Sequence, residues 1–135
     1  MMNAFKFLIF VLVMPTSNAN GQSKTITYPV VVAFNSIGTG VPSDAPLLEY
    51  ISCFKKSNKI KSVTASRIGP LGREGEYKLA FPLTEMNKTL QDCFITGIKE
   101  TAKKMNERGA INVEINEEIN FANLPARAAP VKTQF

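Results

Sequence analysis

Residues 60–83 read IKSVTASRIGPLGREGEYKLAFPL, and this stretch decides the fold. Tyr77, Leu79, Phe81 and Leu83 alternate strictly with Lys78, Ala80 and Pro82, the period-two pattern of a strand with one buried face. Residues 60–68 carry a weaker version of the pattern, centred on Val63, Thr64 and Ala65. Between the two, Gly69-Pro70-Leu71-Gly72-Arg73-Glu74-Gly75 is dense in residues that favour turns, so the stretch predicts an antiparallel hairpin. Pro82 has no amide hydrogen to donate, and regular pairing on one side should stop beside it.

On each side of the hairpin the chain offers a helix and then a strand. Leu47, Leu48, Ile51 and Phe54 recur at helical spacing behind the capping candidates Ser43 and Asp44, and Lys55, Lys56 and Lys59 gather where the helix dipole favours cations. Residues 26–34 (ITYPVVVAF) precede this helix. There Val30, Val32 and Phe34 alternate with Val31 and Ala33, and both faces are apolar, as an interior strand requires. Beyond the hairpin, residues 87–107 place Leu90, Phe94, Ile98, Thr101, Ala102 and Met105 on one helical face, with Gly109 as the expected C-cap. Ile111, Val113, Ile115 and Ile119 then alternate with Asn112, Glu114, Asn116 and Glu118 as a last strand.

The order βαββαβ is that of the ferredoxin-like α+β fold, a two-layer sandwich. It implies a four-stranded antiparallel sheet, ordered fourth, first, third, second, with two helices on one face. The domain so defined covers residues 26–121. Residues 20–25 are expected to form a flexible N-terminus, and residues 122–135, rich in Ala and Pro without periodicity, a mobile C-terminal tail.

Upstream lies a pattern of another kind. Lys6 is followed by the apolar run 7–14 (FLIFVLVM), then Pro15 and a polar stretch ending at Ser17-Asn18-Ala19. These are the three parts of a cleavable signal peptide over residues 1–19, cut after Ala19. A bilayer span takes about 20 apolar residues, so no stable membrane span is expected after cleavage. The protein is therefore expected to be exported, to a periplasmic or extracellular location.

Composition removes several chemistries. The chain is 44% apolar and 20% charged, which is globular, and it contains no histidine. That absence takes away the usual general base and every Ser-His or Cys-His nucleophile. With only Cys53 and Cys93 available, four-ligand Cys/His zinc sites are excluded as well. No catalytic residue, metal ligand or cofactor is assigned. The formal net charge of +5 is mild and favours an acidic partner over nucleic acid.

The two cysteines bear on the fold. Cys53 falls near the end of the first helix and Cys93 near the start of the second, and antiparallel helices bring those ends together. Export and two cysteines lead to the expectation of one disulfide, closing a loop of about 40 residues and worth about 3 to 4 kcal/mol. Against it stands the helical phase of Cys53, which points away from the Leu47/Ile51/Phe54 stripe.

The topology also gathers the loops 35–46, 69–76 and 106–110 at one end of the sheet. Gly38, Gly40, Ser43, Arg73 and Arg108 are the candidate ligand residues there, since a glycine loop entering a helix suits an anion and arginine adds a fork of donors. The connection is the one that carries the phosphate loop of acylphosphatase, which the chain resembles in architecture only. That family's arginine beside the helix start has no counterpart in residues 36–48 (SIGTGVPSDAPLL), so its catalysis is not expected.

The leading expectation is a small, non-enzymatic binding module for a protein partner or a second copy of itself. It would work through the open sheet face, where Ala33, Thr64, Ser66, Lys78, Ala80, Asn112 and Glu114 are expected. The alternatives are an enzyme or binder of small anions at the glycine loop end, and a protease inhibitor or propeptide-like module.

Overall fold

The computed structural model describes residues 24–106 and 108–135. The elements run β1 (Thr25–Phe34), α1 (Ala45–Asn58), β2 (Thr64–Ile68), β3 (Tyr77–Phe81), α2 (Lys88–Met105) and β4 (Ile111–Asn120), and after two 3-10 turns β5 (Val131–Gln134). All strand pairs are antiparallel, in the order β4-β1-β3-β2-β5. The expected signal peptide, residues 1–19, and residues 20–23 of the expected flexible segment lie outside the described residues. Among those described, no helix is long and apolar enough to cross a membrane.

The sheet has five strands, which corrects the expectation of four. The fifth comes from the segment read as a tail. β5 pairs with β2 from Thr64↔Gln134 to Arg67↔Val131, and just beyond it Val63 and Phe135 exchange both backbone hydrogen bonds, at 3.2 and 3.0 Å. The physical reason is the edge that β2 would otherwise expose, a row of unpaired amides and carbonyls. Phe135 adds an anchor, its ring 6.4 Å from that of Phe81.

α1 and α2 cover one face of the sheet, and the main core lies between the layers. Val30, Val32 and Phe34 of β1 and Tyr77, Leu79 and Phe81 of β3 meet Leu47 and Ile51 of α1 and Phe94, Ile98 and Ala102 of α2. Asn87 caps α2, its Oδ1 accepting the amide of Leu90 at 2.9 Å, and the helix ends at Asn106, three residues before the expected cap Gly109. The helices meet through Tyr50, whose hydroxyl donates to the Phe94 carbonyl at 3.1 Å. Gly97 makes this contact possible, because a Cβ there would run into the Tyr50 ring and hydroxyl.

That packing also corrects the expected disulfide: Cys53 and Cys93 are both free thiols and both exposed. Two positions past the buried Ile51 is a rotation of about 200° around the helix, which turns Cys53 outward. Tyr50, meanwhile, occupies the space between the helices beside Cys93.

The face away from the helices is not bare. Tyr28, Val31, Ile68, Ala80 and Ile119 form a second apolar cluster there, with Ile26, Leu71, Phe121 and Leu124 packed on it. Tyr28 and Ile119 reach this face because the alternation of two strands reverses together. In β1 the reversal falls at Pro29, so Tyr28 lies on the opposite face from Val30. In β4 it falls at Asn116, which has a positive φ of 51°, and Ile119 lies opposite Ile111. The register is the same on both sides of this point, and Pro29 and Asn116 are the one pair of facing positions that the ladder skips.

Candidate functional site

The structure joins the expected loops at one end of the sheet. Asn35 donates its amide to the Ala110 carbonyl at 2.8 Å, and Phe34 lies opposite both Tyr77 and Ile111. Gly38 and Gly40 have φ of 84° and 97°, and the turn they make is held by its own contacts, Gly38 N–H to Ser36 Oγ and Ile37 N–H to the Gly40 carbonyl. Ser43 Oγ accepts the amide of Ala45 at 3.2 Å. Arg73 and Arg108 are exposed in their loops.

The charged side chains that do converge at this end are different ones. Tyr77 donates its hydroxyl to Asp44 Oδ2 at 2.8 Å, and the Arg67 guanidinium lies 3.5 Å from the centre of the Tyr77 ring and 3.9 Å from the same carboxylate oxygen. Phe34 stacks beneath Tyr77 at 4.7 Å. Burial first, then the bond to Asp44, pushes the Tyr77 hydroxyl up to about 12. Asp44 stands at the N-cap of α1, so the molecule supplies its own negative charge where a foreign anion was expected.

A second grouping lies on the face away from the helices. Lys78 of β3 reaches across β1 to two carboxylates on β4, Glu117 at 2.5 Å and Glu114 at 3.1 Å. In an unbroken strand, residues 114 and 117 would point to opposite faces. The reversal at Asn116 puts both on the same one. Burial would lower the Lys78 ammonium, but Glu117 and Glu114 together hold it above the usual lysine value. Glu117 is pushed up by burial and then by the neighbouring carboxyl of Glu114, against the pull of Lys78. Glu114 is drawn down, first by the neighbouring carboxyl of Glu117 and, against its own burial, by Lys78.

Glu117 Oε2 is buried and has no hydrogen-bond partner among the described residues. Glu117 lines a groove of about 370 Å³ together with Ile68, Leu71, Lys78, Glu118, Ile119, Asn120, Asn123 and Leu124, and its Oε2 lies beneath that surface. An unused acceptor in a groove with apolar walls is suited to a donor group carried on an apolar body. Glu114, expected on the open face, thus belongs with Glu117 to a built grouping. The sequence signal for it was slight: Pro29 within one strand, and an asparagine, a residue that tolerates positive φ, midway along its neighbour.

Of the residues expected on the open face, Lys78 and Glu114 belong to this grouping. Ser66 Oγ accepts the Tyr28 hydroxyl at 3.4 Å, and Ala80 lies in the second apolar cluster. Another groove, about 460 Å³, runs between the helices past Tyr50, Phe54, Cys93 and Gly97. Among the described residues, no group of three or more His, Cys, Asp or Glu side chains is placed to hold a metal ion. No known protein family, curated protein or solved structure matches the chain.

Proposed function

We propose that the protein is an exported, non-enzymatic binding module that receives a protein partner on the sheet face opposite its helices, in the groove beside Glu117. The observation that carries this reading is the buried, unpartnered Glu117 Oε2 next to the apolar side chains of Ile68, Leu71 and Leu124. Once the Glu117 carboxylate turns outward, a lysine, arginine or amide of the partner would satisfy the oxygen, and an adjoining apolar side chain would cover the walls. Lys78 and Glu114 hold Glu117 in position. Export rests on Lys6, the apolar run 7–14 and the small residues before Asn20.

The fold behind this module is an extended ferredoxin-like sandwich. The support for that reading is the βαββαβ order of the first six elements and the run β4-β1-β3-β2 within the sheet. An inhibitor whose C-terminal tail enters a protease cleft draws less support, since residues 131–134 are engaged as β5. A small anion at the glycine loop end also draws less, because Asp44 already stands at the start of α1.

The test begins with affinity recovery of the mature protein from its native exported fraction and identification of what it retains. The affinity of that partner is then measured for Glu117→Gln, Leu71→Ala and, on the helix side, Lys99→Glu. Losses of about fivefold or more for the first two, with Lys99→Glu unchanged, are expected. Unchanged affinity for both groove variants would remove the basis for this face.

A further inference from the structure

β3 ends at Phe81, ahead of Pro82, and its neighbours on both sides continue past it. β1 beyond Val30, as far as Thr25, is paired only with β4, and β2 beyond Ser66 is paired only with β5. Between them the sheet has lost a strand, and the gap opens on the face away from the helices. Tyr28 bridges it, donating its hydroxyl to Ser66 Oγ at 3.4 Å. Phe121 closes one side, held there by its amide hydrogen bond to the Lys24 carbonyl at 3.1 Å.

The result is a groove of about 350 Å³, separate from the one beside Glu117. Its apolar lining is Ile26, Tyr28, Phe121 and Pro130, and among the described residues its charged groups are the exposed lysines Lys24 and Lys132, with no carboxylate. Ser66 accepts from Tyr28 and so keeps its own proton to donate into the groove. We propose that this groove is a binding site for a small amphipathic carboxylate, its hydrocarbon portion on Ile26, Tyr28 and Phe121 and its carboxylate between Lys24, Lys132 and the Ser66 hydroxyl. The volume stands at the lower end of the roughly 300 to 1,000 Å³ of small-molecule sites. It suits a single chain or ring rather than a two-tailed lipid. Two rim charges of one sign, with nothing of the other sign beside them, select the anionic form over a neutral analogue.

The site is independent of the partner groove, and its test keeps the two apart. The mature protein is titrated with octanoate and separately with octanol, followed by amide chemical shifts. Saturable shifts at residues 24–28, 66, 121 and 131–132 are expected for octanoate, with affinity falling as salt is added. Octanol should bind several-fold more weakly. The double variant Lys24→Gln/Lys132→Gln changes only exposed side chains and should keep its melting temperature. Its affinity for octanoate should fall about tenfold, to near that of octanol, as two solvated ion pairs allow. Glu117→Gln should leave octanoate binding unchanged. The proposal is overturned by the absence of saturable shifts, by equal affinity for octanoate and octanol, or by shifts centred on the groove at Tyr50 and Cys93.

Discussion

Lys78 holds together two carboxylates that would repel each other without it. In Lys78→Met both glutamates lose their cation on a half-buried surface, and their folded-state pKa values rise above those of the unfolded chain. The folded protein then binds more protons than the unfolded one between those values, so stability falls as pH rises through that window. Lys78→Met should cost about 1 to 2 kcal/mol near pH 7 and clearly less near pH 4.5, measured by urea denaturation at both. A loss independent of pH would mean that the ammonium matters for packing alone. Asn116 acts on the same group through the backbone. Its φ of 51° is strained for a β-branched residue and open to glycine. Asn116→Val should therefore destabilise by about 1 to 2 kcal/mol and Asn116→Gly should stay within about 0.5, by the same measurement. Asn116 is exposed, so lost packing does not confuse the comparison.

At the scale of elements, the strands and helices whose apolar positions repeat were legible: the hairpin 60–83, both helices and the last long strand follow from side-chain period alone. β5 was not. It is four residues long, VKTQ, mostly exposed, and is a strand because β2 presents an open edge to it. No local pattern records that kind of cause. The phase reversal was hidden for a related reason. In β4 the apolar residues Ile111, Val113, Ile115 and Ile119 keep one parity throughout, yet the turn at Asn116 sends Ile119 to the other face, and with it Glu117 to Lys78. The face expected to be open accordingly carries a pair of grooves over a second core. β5 carries its own prediction. Phe135→Ala removes the anchor against Phe81 and should cost about 1 to 2 kcal/mol, less than a fully buried phenylalanine because Phe135 is half-buried. Val131→Ala, at a position 61% exposed, should change stability by less than about 0.5 kcal/mol in the same denaturation experiment.

Across the whole molecule, the sheet has two different faces. One is covered by helices that meet through aromatic contacts around Tyr50, Phe54 and Phe94. The other has a smaller apolar cluster, an ion triad with one unused acceptor among the described residues, and two separate grooves. The proposed export and the free thiols together make a prediction for the intact protein. The species recovered from the exported fraction should begin at Asn20 and should not gain two hydrogens on reduction, as read by intact mass. A gain of two would show that Cys53 and Cys93 pair after all. The role of the sheet face is tested most directly by amide hydrogen exchange of the mature protein with and without the partner it retains. Added protection is expected at residues 66–71, 78 and 114–124, with the outer surfaces of α1 and α2 unchanged. Protection confined to the helices, or to the loops 36–44 and 72–76, would contradict it.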